Sequence, residues 1–409
     1  MPSASRRHRV LLSVAGASHG HLYPLLPLAR ALDARGHSVA VGAAAHFSDV
    51  VTEAGLAAIP LVGAEISPPS DEYKARQMSR NPLGRGRAAV ARYLDQGVAE
   101  ALPLLSAARD WRATVIVRET TAYAGWFAAE LTGLPLVVVD FVGTPPRLLA
   151  AVLGDLFLKA RRRLGLTDSL GLPSLNGHLH LLPGPPRWFP EAAIGPASLV
   201  VQPAESPAPD SGALACLDQM PKNRPLVYVS LGTMWSYTPH VLENVIAVLG
   251  EEPVNAIVSL GPNVDEACTG ALPPNVRVER FFPQAVEAAI LSKAAIIVSH
   301  GGNGSLMNGL RHGLAIIVIP LATSDALTNG RRVEALGVGT VSGESRDALR
   351  RSVRRILGDR RYVSEAKRVS SAIRVLPKLS SAAPLVEWVA THKAACLDPA
   401  GLLASLPDA

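Results

Sequence analysis

Little in these 409 residues can be crosslinked, chelated or threaded through a bilayer. The three cysteines, Cys216, Cys268 and Cys396, lie far apart and form no CxxC pair, so neither a disulfide framework nor a zinc site is supported, and a reducing cytoplasm is expected. No apolar stretch approaches the roughly 18 residues that span a membrane. Arg6-Arg7-His8-Arg9 followed by the apolar Val10–Ala15 imitates a secretion signal, but the run is too short and stops at His19-Gly20-His21; it reads as a first strand. Aromatics make up only 5% of the chain, and none interleaves with the basic clusters such as Arg161-Arg162-Arg163, so nucleic-acid binding is not expected. No Asp-x-Asp pair occurs, and no carboxylate cluster flanks the main glycine turn, so no metal site is expected. The phosphate loop GxxxxGK[ST] is missing, and the dinucleotide spacing GxGxxG is absent after the first strand and at residues 300–305.

What is there is an ordinary globular composition, 48% hydrophobic and 18% charged, with a formal net charge of +6 that favours anionic ligands. The length suggests two or three domains. Apolar runs at Arg9–Ala15, Ser38–Val41, Thr114–Val117 and Leu134–Asp140 read as strands. They alternate with helical stretches at Leu22–Ala34, Ala88–Ala108 and Ala122–Leu131. A polar stretch at Glu65–Gly86 reads as an excursion loop. The Pro- and Ser-rich text from Ser198 to Arg224 reads as a linker, after which the same grammar restarts at Pro225–Leu231, Ala256–Leu260, Val276–Arg280, Ala295–Ser299 and Ala315–Ile319. Alternation of this kind indicates parallel sheets covered on both faces. The expected division is 1–205, a linker at 206–223, a second domain at 224–380, and a helical segment 381–409 that returns to the first domain. Ligands of parallel sheets bind at the carboxyl edges of strands, and the polar oddities fall there: His19 and His21 after the first strand, Glu119, Thr233, Gln284 and His300 after later ones.

The sharpest feature is "HGGNGSLMNGL", residues 300–310, where a strand ends on histidine, turns through glycine and enters a helix with no acidic residue at its start. Helix N-termini favour negative charge, and glycine bares the backbone, so the missing charge points to a ligand phosphate. The wider stretch "RFFPQAVEAAILSKAAIIVSHGGNGSLMNGLRHGLAIIVIPLATSDALTNGRRVEALGVG" resembles the donor-binding signature of nucleotide-sugar glycosyltransferases of the GT-B fold, in particular the bacterial branch that glycosylates antibiotics and other natural products. "RPLVYVSLGT", "VAGASHGHLYPLLPLARALDARGHSV" and "VIVRETTAYAGWFAAELTGLPLV" resemble other parts of that family, and about three quarters of the chain is covered.

The resemblance implies an α/β chain of two Rossmann-like domains facing each other across a cleft. It implies an inverting transfer of a hexose, deoxygenated or not, from a dTDP or UDP donor to a small, largely apolar acceptor, with no cofactor and no metal; a homodimer is compatible with it. Phe281 would stack on the base, Phe282 would offer backbone groups to its edge, and Gln284 would reach the ribose. His300, the amides of Gly302, Asn303 and Gly304, the hydroxyl of Ser305, and Thr233 would hold the diphosphate. Asp325 would hold sugar hydroxyls. Asn308 stands where many members carry a ribose-binding Glu, and Ala326 where many carry a sugar-binding Gln; each departure removes one contact and suits a deoxygenated donor. His21 would be the base and Glu119 its partner, with His19 two residues away as the alternative. The acceptor would meet loops near Leu22-Tyr23, Glu65–Gly86 and Phe141–Leu149, and Trp126 reads as core or pocket lining. A lipid-linked-sugar transferase of the same fold, or a catalytically silent partner of a glycosyltransferase, are the competing readings.

Overall fold

The computed structural model describes residues 7–16, 19–61, 82–167, 172–205, 208–209, 220–221, 223–232, 239–261, 272–280, 282–321 and 325–406. The chain divides into two compact units, one of Met1–Ala204 with Leu376–Ala409, the other of Glu205–Val375. Each is built on one parallel sheet in the Rossmann manner.

In the first unit the strands are β1 (Arg9–Ser13), β2 (Ser38–Ala43), β3 (Ala57–Pro60), β4 (Val115–Glu119), β5 (Leu136–Val139), β6 (Leu179–Pro183) and β7 (Ser198–Val201), in spatial order β3-β2-β1-β4-β5-β6-β7. The central strands are buried along their whole length, as the near-continuous apolar text of parallel strands demands. Strand order reverses between β1 and β4, which pair with Ser13 opposite Arg118. Glu119 therefore projects one residue past the end of β1, at the switch point where open parallel sheets bind ligands.

The second unit repeats the scheme with β8 (Leu226–Ser230), β9 (Asn255–Ser259), β10 (Val276–Glu279), β11 (Ile296–Ser299), β12 (Ala315–Val318) and β13 (Gly339–Val341), in order β10-β9-β8-β11-β12-β13. Here the reversal falls between β8 and β11, with Ser230 opposite Ser299. His300 leaves that junction.

The helices that carry the sites are α1 (Leu26–Ala34), α2 (Pro82–Asp110), α3 (Tyr123–Thr132), α4 (Pro146–Arg163), α5 (Gln284–Lys293), α6 (Asn303–His312), α7 (Ala326–Ala335) and α8 (Ala383–His392). Both α3 and α6 stop at a glycine in the left-handed conformation, Gly133 and Gly313. The C-terminal α8 packs Leu385, Val386 and Val389 into the core of the first unit. Glu387 on α8 accepts from the Arg35 guanidinium and bonds His37 Nε2 at 2.8 Å. No described helix is long and apolar enough to cross a membrane.

Several elements differ from the sequence reading. Pro24 and Pro27 break the helix expected at Leu22–Ala34 into a turn at His19–Leu22, a 3-10 turn at Tyr23–Leu25 and α1, because neither proline supplies a backbone N–H. Helix α2 starts at Pro82, inside the expected excursion; residues 62–81 of that excursion lie outside the described residues, as does most of the expected linker. Ser198–Val201, read as the start of the linker, is the edge strand β7. Edge strands need only one hydrogen-bonded neighbour, so such a short run suffices.

Candidate functional site

At the edge of the first sheet, the buried carboxylate of Glu119 is surrounded by donors. Its Oε1 accepts from the Ala15 amide at 3.2 Å and the Thr121 hydroxyl at 2.8 Å, and its Oε2 accepts from the Thr121 amide at 2.8 Å. His21 Nδ1 lies 3.4 Å from Oε2 and 3.2 Å from the Thr121 hydroxyl oxygen. Burial by itself would raise the Glu119 pKa; the charge of His21 and the hydrogen bonds from His21 and Thr121 outweigh it and hold the carboxyl below its ordinary value. Glu119 is thus an ionised group in the interior, fully shielded from solvent, while the His21 side chain keeps 22% of its surface exposed. A buried carboxylate bonded to a half-exposed imidazole is the arrangement that orients a general base and stabilises the imidazolium it forms. The Tyr93 ring, from α2, stands 5.9 Å from the His21 ring.

A second buried acid sits beside the first. Asp140, just past β5, accepts from the Thr120 hydroxyl at 3.0 Å and from the amides of Val142 and Gly143, and it meets His180 Nε2 at 3.1 Å. Burial opposes its ionisation, but the hydrogen bond and charge of His180 and the two amides hold it well below its ordinary value. The neighbouring threonines therefore divide their labour: Thr120 fastens the loop after β5, and Thr121 faces His21. Arg118, also buried, donates to the carbonyls of Glu119, Thr120 and Leu175. This braces the turn from beneath.

The edge of the second sheet is built differently. Gly302 is the N-cap of α6, no side chain caps that helix, and its first turn holds no acidic residue. The first backbone bond returning to Gly302 comes from Leu306, so the amides of Asn303, Gly304 and Ser305 have no partner within the helix. Gly301 has φ +95°, and a β-carbon there would meet the backbone of Ala326 at 2.9 Å; only glycine lets the turn press against the start of α7. Space around Gly304 is open. His300 packs its ring against Gly232 and Gly302, and its Nδ1 is shut off from solvent with no hydrogen-bond partner. Burial drives its pKa down, against the opposing charge of Asp325 and a bond to the Ser230 backbone, so the ring is neutral and presents a donor or acceptor rather than a fixed charge. Unpaired buried polar atoms are costly, and one aimed at a row of bare amides marks a place for an anionic ligand.

Asp325 precedes α7 without capping it; its carboxylate accepts from Asn329 at 3.3 Å, and Asn329 also donates to the Gly301 carbonyl at 3.0 Å. Asn329 thereby ties the glycine turn to the acid. Gln284 opens α5 and is exposed, Asn308 is half-buried on α6, and the Phe282 ring stands 6.4 Å from Tyr228. Phe281 and Thr233 lie outside the described residues, as does the side chain of His19. Trp126 is fully buried and bonds Ser174, which makes it core. Reading the sequence missed Thr121, Asp140 and Asn329. Asp140 ends a strand as Glu119 does, and Asn329 lies one helical turn after Asp325, so both carried a signal; Thr121 carried none beyond its neighbour. Among the described residues, no three His, Cys, Asp or Glu side chains converge in a way that would hold a metal.

Comparison with known proteins bears on both edges. Residues 243–386 match the model of the erythromycin biosynthesis protein CIII-like C-terminal domain. The chain is 32% identical over 355 residues to L-demethylnoviosyl transferase of Streptomyces niveus, covering 84% of this chain and 87% of that one. It is 26% identical over 423 residues to 4'-demethylrebeccamycin synthase of Lentzea aerocolonigenes, covering 93% and 99%. Among solved structures it resembles the glycosyltransferase VinC in complex with dTDP, with a TM-score of 0.72, 22% identity and coverage of 94% and 99%.

Proposed function

Since this chain belongs to the bacterial natural-product glycosyltransferases of the GT-B fold, we propose that it moves a hexose from dTDP or UDP to a hydroxyl of a small, largely apolar natural product, with inversion and without a metal. The observation that carries the donor half is the uncapped α6 N-terminus beside His300 Nδ1. The amides of Asn303, Gly304 and Ser305 and the Ser305 hydroxyl bind the diphosphate, and the helix dipole stabilises the charge that develops on it as the sugar leaves. Asp325, held by Asn329 rather than spent on a cap, accepts from sugar hydroxyls. Gln284 reaches the ribose, with Phe281, Phe282, Asn308 and Thr233 completing the donor contacts.

His21 is the base. Its imidazole takes the acceptor's hydroxyl proton while that oxygen bonds the anomeric carbon and the bond to the diphosphate oxygen breaks. One displacement inverts the centre. Glu119 stabilises the imidazolium that results. Proton removal serves the poor nucleophile, and charge stabilisation serves the leaving diphosphate. The partly buried Tyr93, Phe141 and Leu149 suit an apolar acceptor on this side. The scattered cysteines, with Cys396 buried and unpaired, fit a reducing cytoplasm.

The test is incubation of the full chain with dTDP- and UDP-hexoses and a panel of apolar phenols and alcohols, with product mass and anomeric configuration as readouts. Products heavier by one hexosyl unit, inverted at the anomeric centre and formed equally with EDTA present, are expected. Donor hydrolysis alone across the panel would overturn acceptor transfer. Activity lost to EDTA and restored by a divalent ion would overturn the metal-free part.

A further inference from the structure

Resting on the reading of His21 as base, we infer that Thr121 is a positioning residue that connects His21 to Glu119 and sets which ring nitrogen holds the proton. Three hydrogen-bond lengths carry the inference. The Thr121 hydroxyl donates to Glu119 Oε1 at 2.8 Å, and its amide donates to Oε2 at 2.8 Å. Its hydroxyl oxygen lies 3.2 Å from His21 Nδ1, closer than the 3.4 Å between that nitrogen and Glu119 Oε2. An N–H···O bond is well formed at 2.7–3.2 Å, so the hydroxyl is the nearer acceptor and the carboxylate only a secondary one.

The direction of these bonds follows from proton counting. An ionised carboxylate only accepts, so the single hydroxyl hydrogen of Thr121 points to Glu119. The hydroxyl oxygen can then meet Nδ1 in one way, by accepting from it. Nδ1 therefore carries the hydrogen, and the basic lone pair belongs to Nε2. When Nε2 takes the acceptor's proton, the ring gains a positive charge while Nδ1–H keeps donating to Thr121. The hydroxyl passes that charge on to Glu119 as polarisation, without ionising itself. Threonine suits the place better than serine because its branched β-carbon restricts χ1 and holds the hydroxyl between the two partners. The register supports the same geometry, since β1 and β4 are adjacent and Thr121 lies two residues past the end of β4.

The experiment compares wild type, Thr121→Val, Thr121→Ala, Thr121→Ser and His21→Ala in the full chain, using one donor and one acceptor found to react. Folding is checked by the melting shift with free nucleoside diphosphate. Removing a hydroxyl bonded to a charged partner is worth about 10- to 100-fold in kcat. Thr121→Val and Thr121→Ala are expected to lose that much kcat with the donor KM unchanged, and Thr121→Ser to recover to within about threefold of wild type by the same hydrogen bond. A merely structural role would lower the melting temperature and move kcat and KM together, and that outcome would overturn the inference. Wild-type kcat in Thr121→Val and Thr121→Ala, alongside an impaired His21→Ala, would overturn it while leaving His21 as base. An unimpaired His21→Ala would overturn the base assignment itself and this inference with it.

Discussion

The two switch points share a backbone plan and differ in chemistry. Each lies where strand order reverses in a parallel sheet, and each sends a histidine toward the carboxyl edge. At the first, His21 meets a buried carboxylate that is saturated with donors. At the second, His300 meets backbone amides, and the nearest acid, Asp325, is turned away from the helix it precedes. The first edge therefore holds negative charge of its own and stabilises a cation, while the second leaves positive potential unsatisfied and awaits an anion. One fold supplies a proton acceptor and an anion cradle by changing only the residues just past the strand ends.

The largest expected effect breaks the first edge. Replacing His21 by alanine removes positioned base catalysis, typically about 10²–10⁴-fold. The loss is expected in kcat on an alcohol acceptor, with nucleoside-diphosphate binding retained in a thermal-shift titration. Near-wild-type turnover in His21→Ala would move the base elsewhere, His19→Ala being the next variant to assay.

The excess of acid at the first edge gives the second prediction. Glu100, on α2, is 2% exposed and accepts from Gln96 at 2.6 Å. Burial pushes its pKa up from 4.5 to about 7, against the Gln96 bond and with help from the charge of Glu119. Between those two values the native state holds a proton that the unfolded chain has lost, so Glu100 lowers stability progressively as pH rises from about 4.5, completely above about 7. The difference corresponds to about 3 kcal/mol at most. Glu100→Gln should therefore raise the melting temperature at pH 8 and leave it unchanged near pH 4.5. Parallel melting curves for the two proteins at both pH values would show that Glu100 ionises normally.

The smallest effect sharpens the second edge. His300→Ala removes one hydrogen-bonding group from the diphosphate and should weaken the stabilisation by free dTDP or UDP by about 1–3 kcal/mol. His21→Ala should leave that stabilisation intact. Equal responses of the two variants would erase the distinction between the edges.

Much of this was legible in the chain. The glycine turn after β11 announced itself by what it lacked, and His21, Glu119 and His300 were found because strand ends in parallel sheets face the ligand. The strands that went unread, β3, β6, β7 and β13, are only three to five residues long and lean on neighbours already in place. Their alanines, prolines, histidine and glycine give no run long enough to stand out. Glu100 was illegible for another reason: an acid on a long helix is ordinarily solvated, and nothing local shows that α2 turns this one inward.

By itself the sequence determined where strands end, where the backbone must be bare, and which side chains stand at those ends, because all three depend on neighbours within a few residues. Tertiary structure decided the rest. Thr121 and His21 are 100 residues apart in the chain and 3.2 Å apart in space, and only the pairing of β1 with β4 brings them together. That Asp325 bonds Asn329 instead of capping α7, and that Asp140 rather than solvent receives His180, were settled in the same way. A buried polar group must find its partner among whatever the sheet order places beside it, and sheet order is not written in any local stretch.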